Sequence, residues 1–528
     1  MNYYGIDLGT SSSVLTKVST SNEEPTLEIV KIDGKEKLNS IITLENLDHI
    51  AIGKDKHINL NKTLYRIKGK LANEKAVSVG KTNVSVQFCA ALLLAFLKKN
   101  IDGSDDIVIT IPNFYDQSKR NATLDSAKQA GFNKIKLIEE PSSAAMFHIY
   151  DTYNRSHNEY SLKEKNILVF DFGAGTLDLS LVHVGFDEKN KIEPIVDSIK
   201  GLENFGGYLI DLILAKKLIE LAISLNESKE LIEVKNKLSY NIKSYLDNNN
   251  DELYRYDEKT NKILHIFMKE AENIKILLST NECVSISIEG FIDNLEVPRE
   301  EFEEIVFSEN SFEKKIQKLI TQFKVMNKKE IDEVILVGGT ARIPFVKDIV
   351  KQNFKNSKIV HDENYINAVA YGAALISALW SGVDIAPFGT NLCRGVVPRD
   401  IYINFNNNEE KIIKAGTGYP LVKPKEILLK VPFSLSKSID IKVIEKDDNG
   451  KDKLVSKTEF YHPCFFTGDI IKLCVNIDEN GLIKFKAIHT DTKEDIEFTS
   501  YKENALSSKL IENGKKHIKN KVVFVGEK

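Results

Sequence analysis

From Met1 to about Gly382 the chain alternates short apolar runs with stretches of helical spacing, a pattern that predicts α/β architecture. Ile107, Val108, Ile109 and Ile111 form one such run, ending at Pro112, and Ala122, Ala127 and Ala130 then favour a helix stopped at Gly131. Another run, Val334 to Val337, feeds Gly338-Gly339-Thr340-Ala341-Arg342-Ile343-Pro344, with Pro344 placed for the first turn of a following helix. After Trp380-Ser381-Gly382 the helical spacing gives way to short alternating segments. Ile439/Ile441/Val443, Leu473/Val475/Ile477 and Ile483/Phe485/Ala487 are separated by the turn signals Asn449-Gly450 and Asn480-Gly481. They predict a separate β domain over about residues 384–500. Residues 501–528 carry Lys509, Lys515, Lys516, Lys519 and Lys521 and read as a solvated basic tail or a short helix.

Within this pattern one local device occurs twice. Ile6-Asp7-Leu8-Gly9-Thr10 is echoed by Phe170-Asp171-Phe172-Gly173-Ala174-Gly175-Thr176. Each copy reads as apolar strand, aspartate, glycine turn and second strand, with Leu177, Leu179 and Leu181 alternating after the second turn. Small turn residues expose amide donors to phosphate oxygens, and each aspartate can hold a water of a magnesium ion that shields those oxygens. A strand ending in Asp and Gly also suits an ordinary turn. Two copies in order favour a nucleotide held between two related lobes that close on it. Neither GxxxxGK[ST] nor GxGxxG occurs, so the cradle is not a P-loop or a Rossmann turn. Gly338-Gly339-Thr340-Ala341-Arg342 offers bare backbone against which a flat base could lie, with Arg342 stacking on it. The same residues also fit a plain strand-to-helix turn.

Composition narrows the class. A chain of 528 residues exceeds one hydrophobic core, and its 42% hydrophobic content permits several. With 72 basic against 76 acidic residues the net charge is −4, which argues against a general nucleic-acid or membrane-surface binder. Cys89, Cys283, Cys393, Cys464 and Cys474 are scattered without a CxxC pair, fitting a reducing compartment and giving no support for zinc. Residues 1–10 run directly into strand and motif, and no apolar run approaches membrane-spanning length, so the expectation is a cytoplasmic protein.

The segments Gly5 to Thr10, Asp171 to Asp178 and Val337 to Pro344 resemble the two phosphate motifs and the adenosine motif of the Hsp70 chaperones, within the actin, sugar kinase and Hsp70 superfamily. Further matches are Ile109-Thr110-Ile111-Pro112-Asn113-Phe114-Tyr115 with Arg120 and Ala122, and Glu139-Glu140-Pro141-Ser142-Ser143-Ala144-Ala145. Ala368-Val369-Ala370-Tyr371-Gly372-Ala373-Ala374 resembles the family's second connecting segment, and Asp384-Ile385-Ala386-Pro387 and Asp478-Glu479-Asn480-Gly481-Leu482 fit its β region. The resemblance covers about residues 1–500 and is most specific in the first 380. It implies an α/β fold: a two-lobed, actin-like ATPase domain with a duplicated RNase H-like core over residues 1–382, then a small β-sandwich over 384–500. The short basic tail, 501–528, leaves no full helical lid.

The resemblance also implies roles. ATP and Mg2+ are the expected cofactors, with magnesium held mostly through water by Asp7, Glu140 and Asp171. Gly9, Thr10, Ser11 and Ser12, together with Gly173, Ala174, Gly175, Gly206 and Gly207, would cradle phosphates. Thr176 and the carboxylates would orient the attacking water, and Lys68 resembles the lysine on the γ-phosphate. A plain surface lysine is the other reading at that position. Glu272, Lys275 and Ser279 share one helical face and resemble the residues holding adenosine, with Gly338, Gly339 and Arg342. A solvated face would show the same spacing.

Several positions depart from the family pattern. Ala174 replaces a glycine, which implies a different backbone angle or an altered phosphate contact and slower hydrolysis. Ile276 stands where an arginine usually sandwiches adenine, Tyr208 where an acid follows Gly206-Gly207, and Tyr365-Ile366-Asn367 where an acidic turn is usual. Between Trp380 and Asp384 the leucine-rich linker is missing, implying altered coupling. The leading expectation is an ATP-dependent chaperone that binds unfolded or extended polypeptide, with J-domain and nucleotide-exchange cochaperones. An ATP-binding protein dedicated to one client, with slow or no hydrolysis, is the alternative. A metabolic kinase or filament former is countered by the Pro112 to Arg120 segment and the β domain.

Overall fold

The structure, a computed structural model, describes residues 1–20, 25–54, 60–71, 76–79, 82–103, 106–156, 163–189, 191–226, 228–247, 256–388, 395–405, 408–432, 436–446, 452–499 and 506–524. The expected turn at Asn449-Gly450 and the residue Cys393 lie outside these ranges. Two sheets of the same order form the lobes. In lobe I the strand Asn2–Asp7 pairs antiparallel with Ser12–Ser19 and parallel with Asp106–Ile111, and Thr26–Ile29 and Lys134–Glu139 flank the set. In lobe II Lys165–Phe172 pairs antiparallel with Thr176–Phe186 and parallel with Glu333–Val337, flanked by Ile192–Glu203 and Lys358–Val360. The repeated order makes the duplicated core visible. The central strands are apolar along their length because both of their faces are covered.

The helices Glu140–Arg155 and Ala368–Trp380 lie side by side between the two sheets, the first against lobe II strands and the second against lobe I strands. Small residues make this approach possible. A Cβ on Gly372 would stand 1.8 Å from the Ser143 carbonyl oxygen, and one on Gly5 would stand 2.3 Å from the Ala374 nitrogen. Ser143 Oγ donates to the Val369 carbonyl at 2.6 Å across the helix pair, and Thr16 Oγ1 of the lobe I strand donates to the Ala370 carbonyl at 2.6 Å. Helix Gln117–Gln129 begins on Asp116, whose carboxylate accepts from the Lys119 amide, and it stops before Gly131, whose φ is +93°.

After the second connecting helix the chain stays against the lobes. Ile385 and Phe388 are buried in the core between them, and the Pro387 carbonyl accepts from the Ile192 amide at 3.1 Å. Two four-stranded antiparallel sheets then face each other. One has the order Asn408–Ile413, Asp400–Phe405, Ser436–Lys446, Asp452–Phe465, and the other Lys425–Lys430, Ile470–Ile477, Ile483–His489, Asp495–Thr499. The alternating residues Ile439, Ile441, Val443, Leu473, Val475, Ile477, Ile483, Phe485 and Ala487 all point into their shared core. The turn at Asn480-Gly481 plugs into lobe I. Asn480 Oδ1 accepts from the Leu137 amide at 2.8 Å, and Gln117 Nε2 donates to the Gly481 carbonyl at 2.7 Å.

The basic C-terminal stretch is a helix, Ser508–Asn520, and it is packed rather than solvated. It lies on the lobe I helices Val86–Lys98 and Gln117–Gln129. Beyond it Val523–Phe524 adds in parallel to the strand His49–Ile52, and the Phe524 ring meets Phe96 edge-on at 5.1 Å. Lys509, Lys516 and Lys519 face outward while Ile518 and Phe524 face the lobe, as the amphipathic spacing of the helix dictates, and Lys515 is half-buried beside Gly131.

Candidate functional site

The two Asp-Gly turns meet. A Cβ on Gly175 would lie 3.3 Å from Thr10 Oγ1, so the second turn opposes the first across the cleft between the lobes. Both turns wall a cavity of about 340 Å³ that is also lined by Lys68, Glu140, Glu272, Lys275, Ser279, Gly338 and Gly339. Asp7, Gly9, Thr10, Ser11, Ser12, Asp171, Gly173, Ala174 and Thr176 share the same wall, as does Gly207. Gly206 stands behind the second turn, where a Cβ would run into the Ala174 carbonyl at 2.5 Å. Arg342 lines an adjoining cavity with Ser279, Gly338 and Glu363, and its guanidinium lies 3.9 Å from the Glu363 carboxylate. The structure thus moves Arg342 out of the main cavity wall and leaves Ile276, 58% exposed, at its edge.

Ala174 takes no left-handed backbone. The turn is held by its carbonyls. Ala174 accepts from the Tyr208 amide at 2.9 Å, and Gly173 accepts from the Gly207 amide at 3.1 Å and the Thr340 hydroxyl at 2.8 Å. Gly338 does need its left-handed φ of +84°, and a Cβ there would stand 2.5 Å from the Phe172 carbonyl oxygen.

Charge at the end of the cavity around Asp7 and Asp171 is concentrated and buried. Lys68 Nζ donates to Glu140, and Thr110 Oγ1 donates to Asp7 Oδ1 at 2.9 Å. Burial, then the charges of Glu140 and Asp7, push the Asp171 carboxyl well above the ordinary carboxylate range. Burial also raises Glu140 against the pull of Lys68, and it raises Asp178, whose carboxylate accepts from Thr176 Oγ1 at 3.1 Å. For Lys68 burial acts against the ammonium, but Glu140, Asp7 and Asp171 outweigh it and its pKa is raised. Three crowded carboxylates of this kind fit a divalent cation, which would relieve their mutual repulsion. Among the described residues no three acidic, histidine or cysteine side chains converge closely enough to ligate one ion directly. The donor set therefore fits a hydrated ion contacted through water.

At the other end Lys275 bridges both Asp211 oxygens at 2.7 and 2.8 Å and donates to the Gly207 carbonyl at 3.3 Å. Burial lifts Asp211 to about 6 against the pull of Lys275. Lys275 is thus fixed on the wall, one helical turn from Glu272 and Ser279. The cavity is completed by residues to which no motif assigns a role. Lys37 and Arg66 come from lobe I, Asn204 from the end of the lobe II meander, and Lys119 pairs with Glu203 across the lobes at 3.2 Å. Thr110, through Asp7, and Tyr115, whose hydroxyl donates to the Lys68 carbonyl at 3.2 Å, support these side chains from the strand-to-helix segment of lobe I.

The family profile described as Hsp70 protein matches residues 52–237 and 236–522. The chain is 25% identical over 444 residues to the chaperone protein DnaK of Thermosipho melanesiensis, an alignment covering 80% of this chain and 66% of that protein. It is 25% identical over 550 residues to the chaperone protein DnaK of Mycoplasma mobile, covering 97% of this chain and 81% of that protein. The chain therefore spans just under two thirds of the length of the first relative and about four fifths of the second.

Proposed function

The chain belongs to the Hsp70 family, and on that premise we propose that it binds ATP with magnesium between its lobes and uses hydrolysis to control how its β domain holds unfolded or extended polypeptide. The observation that supports the reading best is the close approach of Gly175 to Thr10, with both turns lining one cavity. Asp7, Glu140 and Asp171 would hold the magnesium water shell, and the ion when bound supplies charge neutralisation for the phosphate oxygens. Lys68, kept protonated by these carboxylates, sits to face the terminal phosphate. Thr176, hydrogen-bonded to Asp178, sits to orient the attacking water. Such positioning and charge stabilisation carry most of a phosphoryl transfer. Glu272, Lys275 and Ser279 would hold the nucleoside.

The β domain offers alternating strands to which an extended peptide can add. Partners of this reading are unfolded polypeptide, a J-domain protein and a nucleotide-exchange factor, in the cytoplasm. Nucleic acid and membrane have no part in it. Among the described residues no helix is long and apolar enough to cross a membrane. The second reading is a binder dedicated to one client, with slow or no hydrolysis. It is favoured by residues 506–524, which are packed on lobe I and so do not lie over the β domain. Peptide-stimulated ATPase assays separate the two. Turnover that rises with added unfolded peptide supports the chaperone. Undetectable turnover, with ATP still raising the melting temperature, supports the dedicated binder, and sugar-dependent phosphotransfer would overturn both.

A further inference from the structure

Arg66 of lobe I reaches across the cleft into a corner made by two tyrosines of lobe II. Its guanidinium carbon lies 3.8 Å from the centre of the Tyr208 ring and 4.5 Å from that of Tyr245. The two rings stand at 81° to each other with centroids 5.3 Å apart, and Arg66 Nη2 donates to the Tyr245 hydroxyl at 2.9 Å. The tyrosines come from different helices, Gly207–Leu225 and Lys229–Leu246, so the corner is rigid and belongs wholly to lobe II.

Two backbone observations point the same way. Arg66 has φ +57°, a left-handed conformation that a bulky side chain adopts at a cost. Asn204 has φ +52° and donates from Nδ2 to the Tyr245 carbonyl at 2.9 Å, fixing the end of the second helix beside the cleft. Arg66, Asn204 and Lys68 all line the cavity, whereas the rings of Tyr208 and Tyr245 do not. The residue that spans the mouth is therefore two positions from the lysine assigned to the terminal phosphate.

We propose that Arg66, Tyr208 and Tyr245 form a cross-lobe clasp that sets the rate at which nucleotide leaves the cleft. The clasp rests on the ATP reading above. For a nucleotide to leave, the lobes must part, and parting them takes the guanidinium off both rings and breaks its hydrogen bond. Arg66 acts here as a positioning residue. Cation–π contact of a partly desolvated guanidinium, with one hydrogen bond, corresponds to about a tenfold change in an opening equilibrium.

The test is stopped-flow release of a fluorescent ADP analogue from the full chain, chased with unlabelled ADP. Tyr245→Leu, which removes no cavity-lining group, is expected to speed release about tenfold with the entry rate changed less than about twofold. Tyr245→Phe keeps the ring and is expected to give a smaller acceleration, which covers the case in which the leucine variant does not fold. Arg66→Ala added to Tyr245→Leu is expected to release nucleotide no faster than Arg66→Ala alone, because both changes act on one clasp, of which Tyr245→Leu leaves the Tyr208 contact. Release unchanged in both tyrosine variants, while the analogue still binds, overturns the clasp and leaves the ATP site standing. Effects of Arg66→Ala and Tyr245→Leu that simply multiply overturn it as well. Failure of the wild-type chain to bind the analogue overturns the ATP reading and the clasp with it.

Discussion

Arg120 of lobe I donates from Nη1 to the hydroxyl of Tyr419 in the β domain at 2.9 Å while its Nη2 donates to Glu139 at 2.9 Å, with the Arg120 and Glu139 side chains each 1% exposed. One guanidinium therefore neutralises a buried carboxylate and fastens two domains. Replacing it with alanine leaves Glu139 buried without its cation, an imbalance of about 3–5 kcal/mol. Tyr419→Phe loses a single hydrogen bond, about 1 kcal/mol. Thermal unfolding should rank the two in that order, and a smaller loss for Arg120→Ala would show that Glu139 is relieved some other way.

The same interface holds Glu445, 2% exposed, with the Gln117 amide 3.4 Å from its Oε1. Burial, then the Asp116 charge, raise its pKa to about 7, against the pull of Arg399 and Lys453. A carboxyl raised in the folded state binds its proton more tightly there than when unfolded. Its stabilisation is complete near pH 4.5, is lost as the pH rises to about 7, and is level above that. Asp116 is lowered, so its own contribution is lost only in acid, outside this window. Melting temperature should fall from pH 5 to 7, and Glu445→Gln should flatten that slope.

On the proposed ATP reading Lys68→Met should slow hydrolysis about 100-fold while ATP still raises the melting temperature, since the lysine would serve charge that develops during transfer. Thr176→Ala should lower the hydrolysis rate more than it weakens ATP binding. Equal losses in single-turnover and equilibrium measurements would remove its assigned role.

The C-terminal strand is held by apolar contact as much as by pairing. Phe524 is 7% exposed against Phe96, with Lys99 Nζ 4.4 Å from its ring centre. Phe524→Ala should cost about 3 kcal/mol. Hydrogen exchange should then rise along Ser508–Asn520 and His49–Ile52 together. Exchange rising in the helix alone would mean that the strand pairing holds by itself.

Gly372→Ala tests the joint between the connecting helices. A methyl group 1.8 Å from the Ser143 carbonyl oxygen cannot be placed without moving a backbone. The variant should lose about 3 kcal/mol, and an unchanged melting temperature would mean the helices separate freely.

Much of this architecture was legible in the chain because it is written in short range. A strand, an aspartate and a glycine turn are contiguous at Asp7 and at Asp171, and the alternation at Leu473/Val475/Ile477 is a property of one strand. The helical face of Glu272, Lys275 and Ser279 follows from spacing alone. By contrast, Arg66 carries no local mark of its role, because its partners Tyr208 and Tyr245 lie on two helices of the other lobe. Lys119 and Glu203 meet only because the lobes close. Arg342 lines the adjoining cavity, beside Glu363, a placement its motif does not encode.

By itself the sequence determined the two Asp-Gly turns and the α/β and β order of the chain, since each depends on residues within a few positions of one another. The tertiary structure alone decided that the turns face each other, that Arg66 closes the cleft, and that the C-terminal helix and strand return to lobe I. These relationships depend on which buried surfaces find each other across hundreds of residues, and no local periodicity encodes that choice.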